Sequence, residues 1–185
     1  MVKILFIGPQ GSGKSTQGKL LSKYLRIPYL SSGDIFREIS KDERNLGEKV
    51  KKILNKGKLV DDVTTCEIFR KKLAENTYKA GFILDGYPRT VKQSQIFDPG
   101  FDLVFYLNIS KKVSLERLLK RVREDDTPAL IEARLVYYYK QTQPLLKYFK
   151  KRSIVREVDS EQEVMEIQSE LRVIADNAKK DEAAK

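Results

Sequence analysis

Histidine is absent from all 185 residues, and cysteine occurs only once, at Cys66. A chain without histidine cannot use an imidazole as a base, a nucleophile or a metal ligand. A single cysteine cannot form an internal disulfide, and it cannot build a zinc site from several thiolates. We therefore expect a cytoplasmic protein whose function needs no zinc.

Long hydrophobic runs are also missing. No apolar stretch approaches the roughly 20 residues that a membrane-spanning helix needs, and the first eight residues are too short for a secretory signal. Acidic residues are fewer than basic residues: the chain has 26 Asp and Glu against 36 Lys and Arg, which gives a net charge of +10. This excess favours anionic partners such as nucleotides, nucleic acid or acidic membrane. A lysine-rich solvated surface explains it equally well.

The hydrophobic pattern predicts one α/β domain over residues 1–185. Short apolar runs predict five strands, at Val2–Ile7, Ile27–Leu30, Gly81–Asp85, Asp102–Ile109 and Ser153–Val158. Helical spacing predicts helices at Lys14–Leu25, from Ile35 to about Asn76 with interruptions at Gly47 and Gly57, and at Val91–Phe97, Lys111–Val122, Pro128–Lys150 and Glu161–Ala175. The tail 177–185 is expected to fray. Alternating strands and helices predict a parallel sheet covered on both faces, with ligands at the carboxyl ends of the strands.

A glycine-rich motif follows the first strand. Residues 8–15 read Gly-Pro-Gln-Gly-Ser-Gly-Lys-Ser and satisfy the pattern G-x-x-x-x-G-K-[ST]. Its glycines let backbone N–H groups surround phosphates, and the helix that follows adds its positive dipole. Lys14 can reach the β- and γ-phosphates, and the hydroxyl of either Ser15 or Thr16 can bind Mg²⁺. The motif predicts a nucleotide phosphate site.

Two arginines and a carboxylate accompany this loop. Arg37 lies on the first turn of the second major helix, Asp85 ends a predicted strand, and Arg89 follows four residues later. Asp85 is placed to hold Mg²⁺ through water. A lone arginine usually serves solubility, but arginines beside a phosphate loop favour a second anion site.

These motifs together resemble the adenylate kinase family of nucleoside monophosphate kinases over roughly Val2 to Asp159. The matching segments are Gly-Pro-Gln-Gly-Ser-Gly-Lys-Ser-Thr-Gln-Gly from Gly8, Ser-Ser-Gly-Asp-Ile-Phe-Arg from Ser31, Gly57-Lys58-Leu59-Val60, Asp85-Gly-Tyr-Pro-Arg-Thr90, Leu115–Arg121, Arg123–Asp126 and Arg134. The resemblance implies a P-loop kinase fold: a five-stranded parallel sheet with helices on both faces and a helical AMP-binding insertion.

The implied reaction is MgATP + AMP = 2 ADP, by direct in-line phosphoryl transfer without a general base. A chain without histidine can run it, because the attacking phosphate has a second pKa of about 6 and is largely deprotonated near neutral pH.

The resemblance also assigns site residues. The implied catalytic residues are Lys14, Arg89, Arg121, Arg123 and Arg134. ATP would bind Gly8, Gly11, Ser12, Gly13, Lys14, Ser15, Thr16 and Arg117. AMP would bind Ser32, Gly33, Arg37, Leu59, Val60, Gly86, Arg89 and Gln93. Mg²⁺ would be held by Thr16 (favoured by family position) or Ser15, and by Asp85 through water.

The chain departs from the family pattern at the lid. Residues 121–126 join the two flanking helices almost directly, so only a vestigial lid is expected, beside a mobile AMP-binding segment at 31–60.

The expected partners are ATP, AMP and ADP, without nucleic acid or membrane. A monomer is favoured, while an oligomer stays open. One alternative is a UMP/CMP kinase or a broader nucleoside monophosphate kinase. Another is an RNA-associated P-loop nucleotide-binding protein.

Overall fold

The computed structural model describes residues 1–42, 45–55, 60–120 and 127–183. The described residues form one parallel sheet of five strands in the order β2-β3-β1-β4-β5. The strands are β1 Val2–Ile7, β2 Tyr29–Ser31, β3 Gly81–Asp85, β4 Leu103–Asn108 and β5 Val155–Asp159. The predicted parallel α/β sheet is confirmed, and the ends of β2, β4 and β5 differ from the prediction by one or two residues.

Helices connect the strands and cover the sheet. They are α1 Lys14–Leu25, α2 Ser32–Ile39, α3 Asn45–Asn55, α4 Asp62–Leu73, α5 Val91–Ile96, α6 Lys111–Lys120, α7 Pro128–Tyr137, α8 Pro144–Lys150 and α9 Val164–Ala183. A 3₁₀ turn lies at Asn76–Tyr78, and a π-helical turn joins α7 to α8 at Tyr138–Thr142. In the described part of the chain, no helix is both long enough and apolar enough to span a membrane.

Two helix predictions near the second strand are wrong. The helix α2 begins at Ser32, with Ser31 as its N-cap, three residues before the predicted start at Ile35. Gly47 lies inside α3 instead of interrupting a helix. A Cβ at Gly47 would collide with the backbone oxygens of Ile39 and Asp42, so this glycine permits a close approach of the chain. The predicted interruption at Gly57 falls outside the described residues.

The predicted single helix Pro128–Lys150 is divided by the π-helical turn. Pro144 has no N–H and cannot continue an α-helical ladder from the preceding turn. The amide of Gln143 instead donates to the carbonyl of Tyr138 at 2.9 Å, five residues back, and α8 starts at the proline. The chain keeps its helical course, but its hydrogen-bond pattern changes at this point.

The last helix is longer than predicted. It begins at Val164 instead of Glu161 and continues to Ala183, past the predicted end at Ala175 and through most of the tail expected to fray. The reason is an apolar face that continues along the helix: Ala175 is fully buried, and Ala178 packs against the same cluster.

Two hydrophobic clusters cover opposite faces of the sheet. Side chains alternate along β1, so that Ile4 and Phe6 join one cluster while Leu5 and Ile7 join the other. The first cluster includes Leu21 of α1 and Leu171 of α9, whereas the second includes residues of α4 and α8. Both faces of the parallel sheet are therefore buried, which leaves the carboxyl ends of the strands as the place for a ligand.

Phe105→Ala tests the buried centre of this sheet. Phe105 is fully buried on β4, so we expect its replacement to lower the free energy of unfolding by about 3–5 kcal/mol through lost burial and a cavity. Val136→Ala is the control, because Val136 is 59% exposed and its truncation should change stability by about 0.5 kcal/mol or less. Urea unfolding measures both. Equal losses in the two variants would contradict the described burial.

Candidate active site

A cavity of about 1050 Å³ opens at the carboxyl ends of the strands. Its volume is at the upper end of the usual range for ligand sites, and it is large enough for more than one small ligand. The predicted residues that line it are Gly8, Gly11, Ser12, Gly13, Lys14, Ser15, Thr16, Ser32, Gly33, Arg37, Val60, Asp85, Gly86, Arg89, Gln93, Arg117 and Arg134. Three further predicted residues, Leu59, Arg121 and Arg123, lie outside the described part of the chain, as does the vestigial lid at 121–126.

The loop between β1 and α1 forms one wall of the cavity. Gly11 and Gly13 have φ values of 80° and 82°, which favour glycine, and a Cβ at Gly11 would lie 2.7 Å from the carbonyl oxygen of Ser114. The Lys14 ammonium donates to the carbonyl oxygens of Gly8 and Pro9, both at 2.7 Å. The loop therefore curls around its own lysine, directly before the N-terminus of α1, where backbone N–H groups and the helix dipole favour an anion.

A carboxylate with neutral hydrogen-bond partners stands beside this loop. Asp85 is 6% exposed at the end of β3. Its Oδ2 accepts from Ser15 Oγ at 3.1 Å and from Tyr29 Oη at 2.7 Å. Burial raises the pKa of Tyr29, and the neighbouring charge of Asp85 raises it further, so the phenol remains a donor. Sequence reasoning missed Tyr29, because no motif contains it.

Asp85 and Ser15 have the chemistry of a magnesium site. No group of three or more Asp, Glu, Cys or His residues is placed to hold a metal among residues 1–42, 45–55, 60–120 and 127–183. Mg²⁺ does not require such a group, since it keeps several waters and binds through one or two carboxylates together with substrate phosphates. A buried carboxylate that touches a hydroxyl of the phosphate loop fits this preference.

Arg89 is a further lining residue of the cavity. Its Nε donates to the carbonyl oxygen of Gly86 at 2.9 Å, and its guanidinium donates to Ser32 Oγ at 3.0 Å. Burial lowers the pKa of Arg89, while the charge of Asp85 raises it and the cations Arg134 and Arg37 lower it. The guanidinium stays charged even so, because arginine does not deprotonate in proteins. Arg37 and Arg134 thus lie close enough to Arg89 to disfavour its charge, and a bound anion would offset this repulsion.

The side chain of Gln93 is locked beside Arg89. Its Oε1 accepts from the backbone amide of Arg89 at 2.7 Å, and the backbone N–H of Gln93 donates to Thr90 Oγ1 at 3.0 Å. The Thr90 hydroxyl in turn donates to Asp62 Oδ1 at 3.2 Å. This chain of bonds ties the start of α4 to the start of α5 and leaves the amide NH₂ end of Gln93 for a ligand. Thr90 and Asp62 were missed as site residues, because their contact spans 28 positions.

Two arginines at the edge of the cavity have protein partners. Arg117 donates to the carbonyl oxygen of Ser160 at 2.7 Å, and Arg37 is paired with Asp34 at 2.5 Å. Both pairings are at accessible positions, since Arg37 is 47% exposed and Arg117 is half-buried. An exposed ion pair contributes little stability, so Arg37 can exchange its partner for a phosphate at little cost.

A buried amide pair positions the wall formed by residues 161–164. Gln168 donates to Gln17 Oε1 at 2.7 Å, and Gln17 donates to the carbonyl oxygen of Val164 at 3.0 Å. Both glutamines are almost completely buried. They join α1, which follows the phosphate loop, to the start of α9. A sequence pattern offers no signal for this pair, because glutamine at a helical position is normally solvated.

Comparisons with known proteins agree on one family. A family model described as adenylate kinase matches residues 6–154. An adenylate kinase of Prochlorococcus marinus (strain AS9601) is 39% identical over 177 residues, covering 91% of this chain and 96% of that protein. An adenylate kinase of Bartonella quintana (strain Toulouse) is 36% identical over 92% of this chain and 98% of its own length. One from Cyanothece sp. (strain PCC 7425 / ATCC 29141) is 35% identical over 97% of both chains.

Thr90→Val tests the connection between α4 and α5. The substitution keeps the shape of the side chain but removes the cap of α5 and the bond to Asp62, so we expect a loss of about 1–2 kcal/mol in the free energy of unfolding. Thr90→Ser keeps the hydroxyl and should lose less than half as much. Urea unfolding compares the two variants. An equal loss would show that the methyl group, and not the hydroxyl, is what stabilises this site.

Proposed function

The chain belongs to the adenylate kinase family, and from this premise we propose that it transfers the terminal phosphoryl group of MgATP to AMP to form two ADP. The observation that carries the proposal is that one cavity is lined both by a glycine-rich loop and by Arg37, Arg89 and Arg134. The loop offers a site for one chain of phosphates, and the arginines offer a site for a second phosphate group. Two nucleotides bound with their phosphates facing each other would be aligned for in-line transfer.

The triphosphate side is formed by residues 8–16. Backbone amides of the loop and the Lys14 ammonium would hold the β- and γ-phosphates of ATP. We assign Mg²⁺ to Ser15 and to Asp85 through water, because Ser15 Oγ already contacts Asp85 at 3.1 Å. Thr16, which family position favours for this role, is exposed, and within the described residues it forms no hydrogen bond with Asp85. When bound, Mg²⁺ would neutralise charge on the phosphate oxygens.

The monophosphate side is formed by the arginines. Arg89 and Arg37 would hold the AMP phosphate, with Ser32, Gly33 and Gly86 close to it. Arg134, together with the predicted Arg121 and Arg123, would neutralise charge on the transferred group. The attacking oxygen needs no base, because the phosphate is already largely ionised near neutral pH. Catalysis in this proposal consists of alignment and charge neutralisation.

The bases are assigned to opposite ends of the cavity. Arg117 would stack on the ATP adenine beside residues 161–164, and its contact with Ser160 at 2.7 Å holds it there. Gln93 and Val60, with the predicted Leu59, would border the AMP adenine.

Two segments would cover the substrates to different extents. The segment 31–60 would close over AMP, and the vestigial lid at 121–126 would leave most of ATP uncovered. We also propose a cytoplasmic monomer that acts on nucleotides and needs neither nucleic acid nor membrane.

Two alternatives make different predictions. A UMP/CMP kinase or a broader nucleoside monophosphate kinase would accept CMP, UMP and dAMP as well as AMP in a coupled assay. An RNA-associated P-loop protein would bind RNA with a steep dependence on salt, and this binding would survive Arg89→Ala. The cavity favours the kinase, since Lys14, Arg37, Arg89 and Arg134 all line the same concave volume.

Arg89→Ala tests the role of the arginines. We expect kcat/KM for ADP formation to fall by about 10²–10³, the scale for removal of one charge-stabilising group, with folding retained by circular dichroism. Arg156→Ala is the control, because Arg156 donates to the carbonyls of Ser153 and Val155 and does not line the cavity. It should leave kcat/KM unchanged. If the native protein formed no ADP from MgATP and AMP, the proposed function would be wrong.

Gln93→Ala tests the choice of base. Loss of one hydrogen bond to adenine should lower the preference for AMP over CMP by about threefold to tenfold, mainly through the KM for AMP. Coupled assays with each monophosphate give the ratio. A preference that does not change would assign base selection to other residues.

A further inference from the structure

We propose, building on the proposed function, that Tyr29 is a positioning residue for the magnesium side of the cavity. Its hydroxyl fixes the orientation of the Asp85 carboxylate, so that the carboxylate presents its other oxygen to the waters of bound Mg²⁺. None of the family motifs includes Tyr29, and its side chain acts on the substrate only through Asp85.

The geometry separates the two oxygens of Asp85. Both protein donors, Ser15 Oγ at 3.1 Å and Tyr29 Oη at 2.7 Å, reach the same atom, Oδ2. For Oδ1, no protein donor is recorded within the described residues. Two neutral donors thus hold the carboxylate through one oxygen, and its other oxygen can accept from water.

The sheet brings the tyrosine to this position. In the β2–β3 pairing, Tyr29 lies opposite Ile83 and Ser31 lies opposite Asp85. Residues two apart on a strand point to the same face, so Tyr29 reaches diagonally across the strand pair to the carboxylate. A shorter side chain at this position would not extend as far as Asp85.

The neighbouring helix leaves room for the ring. A Cβ on Gly18 of α1 would lie 2.6 Å from Tyr29 Cε2 and 2.9 Å from Cδ2, closer than real contacts allow. Gly18 is buried in the same helix that starts with Lys14 and Ser15. The ring is therefore packed against the phosphate-loop helix while its hydroxyl bonds to Asp85, which ties the loop, the carboxylate and β2 together.

A neutral donor suits this role better than a cation. Lysine or arginine at the position of Tyr29 would neutralise Asp85 and weaken its attraction for a hydrated Mg²⁺. A phenol O–H bonded to a carboxylate forms a short, strong hydrogen bond without cancelling the charge. Groups that orient metal ligands in this way change metal affinity by about 10–100-fold when they are removed.

The test is the linkage between Mg²⁺ and ADP in equilibrium binding. Calorimetry gives the Kd of ADP in EDTA and in excess Mg²⁺, and the ratio of the two values measures how strongly the metal tightens binding. For Tyr29→Phe we expect this ratio to fall about tenfold, the low end of the range for residues that orient metal ligands, with the Kd in EDTA unchanged.

Tyr24→Phe is a matched control. Its hydroxyl also donates to an aspartate, Asp176 Oδ2, at the same 2.7 Å, but Tyr24 lies on the surface outside the cavity lining. The substitution removes the same atom and the same type of bond, so the ratio should stay at the native value. A merely structural tyrosine–carboxylate bond at Tyr29 would behave like this control.

The outcomes separate this proposal from the proposed function. An unchanged ratio in Tyr29→Phe, an equal weakening of both Kd values, or no effect of Mg²⁺ in the native protein would overturn the role of Tyr29. If Tyr29→Phe did not fold, Gly18→Ala would displace the ring and should lower the same ratio. The proposed function is tested independently, by whether the native protein forms ADP from MgATP and AMP.

Discussion

A carboxylate and a guanidinium lie four residues apart at the end of β3, and the structure must keep them from neutralising each other. Asp85 accepts hydrogen bonds from two hydroxyls, while Arg89 donates to the carbonyl of Gly86 and the hydroxyl of Ser32. Each charge is thus held by neutral partners and remains available to a ligand. The turn between them depends on Gly86, whose φ is 81° and where a Cβ would collide with Ser32 Oγ.

In the proposed function, this separation of charge would let one cavity bind phosphates and a metal together. A cation attracts phosphate and a carboxylate attracts hydrated Mg²⁺, but an ion pair between them would weaken both functions. The loop at residues 8–13 would add backbone N–H groups, which can bind phosphate without adding a formal charge. In the proposed mechanism, a protein without histidine would run phosphoryl transfer with fixed cations and oriented dipoles, without a group that exchanges protons.

The parts of the fold predicted from sequence are those with a local cause. The bounds of β1, β3 and α1 were predicted to the residue, because continuous apolar runs and the glycine-rich motif mark them. The errors have non-local causes: Gly47 is required by backbone packing inside α3, and the end of α9 depends on burial of Ala175 against the sheet. The site residues divide in the same way, into those that a local motif indicates and those that depend on contacts between distant segments. Motifs indicated Lys14, Asp85 and Arg89, whereas Tyr29, Thr90 and Gln168 act through contacts between distant segments that no spacing reveals.

The short edge strand β2 connects the two proposed substrate sites. Tyr29, at its start, bonds to Asp85 on the magnesium side, and Ser32, directly after its end, accepts from Arg89 on the monophosphate side. Because β2 pairs only with β3 within the described sheet, few hydrogen bonds oppose a small shift of this strand. A displacement of α2 toward bound AMP would move Ser32 and Tyr29 together. In the proposed function, the position of Asp85 beside Mg²⁺ would thereby be coupled, through residues 29–32, to the AMP site.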